Sequence, residues 1–258
     1  MISVKSGKEV DIMRRAGDIL ARCFLAIEPY IAEGARTGDI DRVAEDFIRR
    51  HGAVPSFLGV KGAVEGAPDY PACACISVNE EVIHGLPGPR RLNRGDVVSI
   101  DMGACYNGYH SDMARTYIIG QAGEAAEKLV KVTEECFWAG LKNAVPGMRV
   151  NDISKLIQRH AEASGFSVVR EFVGHGIGAG LHEPPQIPNY VDRRALRGQR
   201  FASGMTLAIE PMVNIGGCEV EVLRDKWTVV TKDRSLSAHY ENTVLVSGDE
   251  PVILSKAV

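Results

Sequence analysis

The chain carries one local plan twice, and this repetition restricts the fold more than any single motif does. Gly34, Arg36, Asp39, Ile40 and Gly52 recur as Gly147, Arg149, Asp152, Ile153 and Gly165 at a constant offset of 113 residues. Ordinary residue frequencies would give about one such match over that window. Ile12, Ala16, Ile19, Cys23 and Ile27 follow helical spacing as far as Pro29, and residues 124 to 142 form a second long helical pattern. Each is followed by a shorter amphipathic helix, carried by Ile40, Val43, Ala44, Phe47 and Ile48 in one case and by Ile153, Leu156, Ile157, His160 and Ala161 in the other. A second echo, at an offset of 109, sets Gly95-Asp-Val-Val-Ser-Ile-Asp101 on Gly204-Met-Thr-Leu-Ala-Ile-Glu210. Both runs are strand-like and end in a carboxylate. The expected architecture is therefore α+β, one domain over residues 1–258 made of two pseudo-symmetric halves, 1–120 and 121–258. Each half has two helices followed by strands, and the strand carboxylates of both converge between them.

Five residues in such segments are candidate metal ligands: Asp101, Asp112, His175, Glu210 and Glu241. Asp101 and Asp112 flank the turn signal Tyr106-Asn107-Gly108, which fits neighbouring strands of a hairpin. Carboxylates held close together away from water resist ionisation, whereas bound divalent cations let them stay charged. The bland alternative pairs Asp112 with Arg115 and has Asp101 cap the turn. Acidic residues at duplicated strand positions favour metal instead. A pair of ions is what two equivalent halves would hold, and oxygen-rich coordination with one imidazole suits Mn, Fe(II), Co or Zn. In GHGIGAGLHEPP the glycines at 174, 176, 178 and 180 lack the spacing of a nucleotide-binding loop. The pattern rather presents His175 to the metals and His182 to a substrate. On its own His84 reads as a turn residue, His160 as a hydrogen-bonded core histidine and His51 as a surface residue at a helix C-terminus.

Composition narrows the setting. Lys plus Arg total 30 against 33 Asp plus Glu, a formal net charge of −3 that offers no footprint for nucleic acid or an anionic membrane. The start MISVKSGKEVDIMRR has no secretory apolar stretch, and no later segment approaches the roughly 20 apolar residues that span a bilayer. The cytoplasm is the expected location, and the six cysteines are expected to be reduced.

The segments PSFLG (55–59), ISVNEEVIHGLP (76–87), GDVVSIDMGA (95–104), GYHSDMART (108–116), GHGIGAGLHEPPQIPNY (174–190), GMTLAIEPMV (204–213) and TKDRSLSAHYENT (231–243) resemble those of the short bacterial methionine aminopeptidases. The likeness extends over nearly the whole chain. No insertion interrupts the catalytic half and no zinc-binding N-terminal extension is present, so it is to the minimal type I form. It implies the pita-bread fold around a dinuclear site and removal of N-terminal methionine from peptides and nascent chains by a monomer, and it allows the ribosome as a partner. It further implies Asp101 as a bidentate ligand of one metal, His175 and Glu210 as ligands of the other, and Asp112 and Glu241 as bridges. A water bridging the metals would be the nucleophile and Glu210 the proton shuttle. His182 would bond the scissile carbonyl or its oxyanion, His84 would contact the peptide nitrogen side, and Phe57, Tyr70, Cys75 and Trp227 would line the methionine pocket. A monovalent cation would sit at Asn79, Glu81 and Ser237.

The chain departs from that family's pattern in a long Val60–Asp69 segment, at Val60 and Leu181, where aromatic residues are common, and at His239 and Asn242, where Gln and His are usual. These positions bear on pocket shape and on the second residue of the substrate. Two rival readings are a proline-specific peptidase of the same fold and a binding protein that kept the fold without catalysis. The sequence EPMV beginning at Glu210, where such proline enzymes have EPG, speaks against the first; retention of all five ligands speaks against the second.

Overall fold

The computed structural model describes residues 2–62, 64–191, 198–248 and 250–257. Helix α1 (Gly7–Ile27) starts where Ser6 and Glu9 form a reciprocal capping box, and it gives way at Pro29 to a short 3₁₀ turn, Glu28–Tyr30. Helix α2 (Thr37–Arg50) ends before Gly52, whose φ of 77° is the left-handed conformation that closes a helix. Helices α3 (Glu124–Leu141) and α4 (Val150–Ala163) repeat this arrangement, with Gly165 at φ 88°. The expected helices are all present. One residue differs from expectation: His160 lies at the edge of the α3–α4 seam, 36% exposed, with Nε2 2.9 Å from Glu135 Oε2, because its side of α4 meets the polar flank of α3. His51 caps α2 with its ring stacked on Phe47.

The strands are β1 (Val54–Pro55), β2 (Ala74–Val78), β3 (Glu81–Ile83), β4 (Val97–Tyr106), β5 (Tyr109–Ile118), β6 (Ser167–Val168), β7 (Gly174–Gly176) and β8 (Glu183–Ile187). There follow β9 (Thr206–Ile209), β10 (Met212–Asn214), β11 (Val220–Val222), β12 (Val229–Thr231), β13 (Ser237–His239), β14 (Glu241–Leu245) and β15 (Val252–Ile253). The main sheet runs β1-β4-β5-β14-β9-β7-β8, with β2 also paired to β4 and β15 to β14; two three-stranded sheets, β13-β10-β6 and β11-β12-β3, complete the set. All pairings are antiparallel.

The same contacts occur in both parts of the chain. Gly34 N–H donates to Leu92 O at 2.7 Å and Gly147 N–H to Phe201 O at 2.9 Å, while Arg91 and Arg200 donate to the carbonyls of Gly34 and Gly147. The thiols of Cys23 and Cys136 each lie 3.7 Å from the carbonyl of a residue on the paired helix, Ala44 and Ile157. The offset is 113 within the helices and 109 where they meet the following chain. One buried cluster joins α1 and α2 to β2 and β4 through Ile19, Ile40, Ile76 and Ile100; another joins α3 and α4 to β9 and β14 through Leu129, Ile153, Leu207 and Val244.

The hairpin β4–β5 carries two of the candidate ligands, Asp101 and Asp112, on strands joined as expected from the sequence. Its turn places Asn107 at φ 47° and Gly108 at φ 81°, the two positive values a two-residue hairpin loop demands. A Cβ on Gly108 would touch nothing, so its role is conformational. Gly108→Ala should lower stability by about 1–2 kcal/mol, the cost of a left-handed L-residue, without changing the packed core. Urea unfolding checks this; an unchanged midpoint would contradict it.

Candidate metal centre

The register of the main sheet brings the five candidate ligands together. Asp101 on β4 faces Ala114 on β5, and Ala114 faces Glu241 on β14, so the two carboxylates share one row with only a methyl group between them. Asp112 lies two residues from Ala114 and therefore on the same side of the sheet. Asn242 faces Ile209, which carries Glu210, just past β9, into line with Glu241. His175 on β7 faces Ala208, two residues before Glu210. Five donors thus project from five adjacent strands over two alanines, where a longer side chain would fill the space an ion needs.

Asp112, His175 and Glu241 are buried, and their ligating atoms lie within 4.8 Å of one another. His175 Nε2 stands 3.5 Å from Glu210 Oε1, with its Nδ1 2.9 Å from Gly176 O. Burial raises the Asp101 carboxyl well above the usual range, and the neighbouring Asp112 and Glu210 add to this. Burial, then Asp112, does the same to Glu210 and Glu241, and burial pushes Asp112 up to about 7. Burial also lowers His175 to about 4, which keeps its ring neutral and able to donate a lone pair. Asp101 Oδ1 and Glu241 Oε1 are buried without a hydrogen-bond partner. Unpartnered carboxylate oxygens beside a neutral imidazole are the donor set of a divalent cation site, and the residues fit that group. Arg115 does not pair with Asp112; it donates to the carbonyls of Ala114 and Glu241, both at 2.7 Å, and to Asn242 Oδ1 at 2.9 Å.

A cavity of about 240 Å³ opens beside this cluster, lined by Phe57, Tyr70, Cys75, Trp227 and Leu181 on its apolar side and by His84 and His182 next to the carboxylates. Tyr70 and Trp227 meet edge to face at 4.9 Å between centroids. Trp227 is held by its indole N–H, which donates to Pro68 O at 3.0 Å, and Val60 and Lys61 of the same segment line the cavity. His182 is exposed at the rim, its ring 4.5 Å from that of His175. His84 adopts φ 58°, unusual for a bulky residue, and burial lowers its ring to about 4. Asn79 and Ser237 are joined by a backbone hydrogen bond of 2.9 Å, and Glu81 Oε2 accepts the Val78 N–H at 2.8 Å; these three do not line the cavity.

The family model for metallopeptidase family M24 matches residues 11–248. A methionine aminopeptidase of Clostridium perfringens is 51% identical over 255 residues, 99% of each chain. A crystal structure of methionine aminopeptidase from Thermotoga maritima superposes with a TM-score of 0.93 at 40% identity, covering 99% of this chain and 100% of that one. The chain belongs to metallopeptidase family M24, and within it to the methionine aminopeptidases. Its fold is the pita-bread fold expected from the sequence. A prolidase from Pyrococcus furiosus shares that fold, with a TM-score of 0.75 at 24% identity over 99% of this chain and 66% of that one.

From the sequence, Val60, Leu181 and His239 are departures that bear on pocket shape and the second substrate residue, and Lys61 has no role. Val60, Lys61 and Leu181 lie on the cavity wall. His239 precedes Glu241 by two residues, the spacing that sends side chains of an extended chain to one side.

The carboxyl shifts fix a pH dependence. Unfolded carboxyls ionise near 4, whereas in the folded, chelated protein Asp112 does so at about 7 and Asp101, Glu210 and Glu241 well above their ordinary values. The folded state therefore binds more protons, and stability falls as pH rises through this window. The depressed histidines slope the other way, but only below their unfolded value of about 6.5. Between about pH 6.5 and 8 the melting temperature in chelator should decline, and a divalent cation should raise it and remove the decline. A melting temperature in chelator that rises over that range would contradict this.

Proposed function

We propose that the protein hydrolyses the bond after an N-terminal methionine in peptides and nascent chains, in the cytoplasm, as a single catalytic domain of two halves, 1–120 and 121–258. The observation that carries this is the adjacency of the carboxylate–imidazole cluster and a cavity with an apolar side. Two divalent cations, Mn, Fe(II), Co or Zn, would supply a bridging water of lowered pKa as the nucleophile and neutralise charge on the carbonyl oxygen.

Asp101 would hold one ion, His175 and Glu210 the other, and Asp112 and Glu241 would bridge them. Glu210 also accepts a proton at its carboxylate and returns it to the leaving amine, a task suited to a carboxyl whose affinity for protons is raised. His182, at the rim beside His175, donates to the carbonyl oxygen as charge develops there. His84 contacts the peptide nitrogen side, and its fixed backbone keeps it there. The methionine side chain fills the space between Phe57, Tyr70, Cys75 and Trp227, where thioether sulfur meets aromatic edges. Asn79, Glu81 and Ser237 form a separate site for a monovalent cation, which would brace β3 against β13. The reading takes the protein as a monomer that acts on nascent chains and so can meet the ribosome.

The test pairs Met-Gly-Met-type peptides with X-Pro dipeptides on protein reconstituted with Mn, Fe(II) or Co. Cleavage of the methionyl peptides is expected, and preferred X-Pro cleavage would overturn the proposal in favour of the prolidase reading. Asp112→Ala and Glu241→Ala should abolish turnover, whereas full activity in either would refute the bridging roles. His182→Ala should lower kcat by about 10²–10³-fold with a smaller change in KM, as loss of a transition-state donor does.

A further inference from the structure

His239 is buried, 1% exposed, and neither ring nitrogen has a hydrogen-bond partner among the described residues. Its backbone is fixed from two sides. Strand β13 pairs with β10 so that His239 faces Met212, and Thr116 Oγ1 accepts from the His239 N–H at 3.0 Å and donates to its carbonyl at 2.8 Å. The ring is thereby directed at two carboxylates: Nε2 lies 3.6 Å from Glu210 Oε2 and 3.9 Å from Glu241 Oε2. Both separations exceed a hydrogen bond. They approach the spacing of two donors that share one ion: donors about 2.1 Å from a metal at near-tetrahedral angles stand roughly 3.4 Å apart. His175, on the other side of Glu210, shows nearly the same separation, 3.5 Å from Nε2 to Glu210 Oε1. Glu210 therefore lies between two imidazoles, and Glu210, His239 and Glu241 form a second group of donors within 4.8 Å, sharing Glu241 with the group of Asp112 and His175.

We propose that His239 is a sixth metal ligand, binding through Nε2 a cation held by Glu210 and Glu241. The inference rests on the metal-site reading and extends it: the centre has two imidazole donors and four carboxylates. A second imidazole shifts preference toward Zn, Co and Fe(II) relative to Mn, which favours oxygen donors. Glutamine has similar bulk and can still hydrogen-bond a carboxylate, but its amide is a poor ligand, so His239→Gln separates ligation from mere positioning of Glu210.

The experiment is proton NMR of the full chain loaded with two equivalents of Co(II), in which each ligating imidazole N–H gives a strongly shifted, exchangeable resonance. Two such resonances are expected in the unmutated protein and one in His239→Gln, with Co(II) affinity by calorimetry lowered at least tenfold in the variant and Mn(II) affinity lowered less. A single resonance in the unmutated protein, or two that persist in the variant, would overturn the proposal, and the first count requires no variant to fold. Absence of any shifted resonance in the unmutated protein would overturn the metal-site reading and the sixth ligand with it. Cleavage of Met-Gly-Met by the same samples keeps the two apart, because retained cobalt-dependent turnover with a single resonance leaves the function standing and removes only His239.

Discussion

Four carboxyl groups on one buried face of a sheet repel one another, and much of the structure exists to keep them there. At about 4 Å and an effective dielectric near 20, each ionised pair opposes folding by about 4 kcal/mol. A few such pairs reach the whole net stability of a typical domain, about 5–15 kcal/mol. Protonation is one escape, and the raised carboxyl pKa values show the pressure toward it. Divalent cations are the other, and they preserve the charge that hydrolysis needs. In the proposed centre, cation binding and folding stability would be linked through the same oxygens.

Side chains reinforce the ladder at the points where the repulsion acts. Strands β5 and β14 share only two register pairs, Glu241 with Ala114 and Asn242 with Met113. Thr243 extends that contact: its Oγ1 accepts the Asp112 N–H at 2.7 Å and donates to the Asp112 carbonyl at 3.0 Å. Thr116 does the same for His239 on β13. Arg115 spans from the carbonyl of Ala114 to that of Glu241, its guanidinium 4.1 Å from the Tyr240 ring. Strand β5 is thus tied to both β14 and β13 by side-chain bonds.

Periodicity makes the four helices and the β4–β5 hairpin legible, because burial on one face leaves a regular trace in the sequence. The five donors are legible as types: four acidic residues and a histidine set in apolar, strand-like runs have little reason to be there otherwise. Their convergence depends on pairings such as His175 with Ala208 and Asn242 with Ile209, which join residues far apart in the chain and leave no periodic signal. His160 looks internal because helical spacing says which side of α4 a residue occupies, while the polar flank of α3 opposite it, with Glu135, is a tertiary fact. His239 stands out in the sequence only as a departure from a pattern. Its aim at Glu210 depends on the chain crossing at Tyr240 from β13, in one sheet, to β14, in another.

The donors come from the main sheet or its edge, whereas most of the pocket wall comes from connecting segments, with Cys75 on β2, opposite Asp101, belonging to both. Asp101, Asp112, Glu210 and Glu241 belong to the main sheet or its edge, the part that fixes their register. Phe57 and Tyr70 come from the connection between β1 and β2, and Trp227 from that between β11 and β12, held to the first by its bond to Pro68 O and by Lys226 donating to Glu65 O. Loops can change length and composition without disturbing a sheet register. The prolidase from Pyrococcus furiosus shares this fold at 24% identity. His84 stands at the junction of strand and connection, its ring edge-on to Trp227 on the pocket side and its backbone, at φ 58°, running directly from β3.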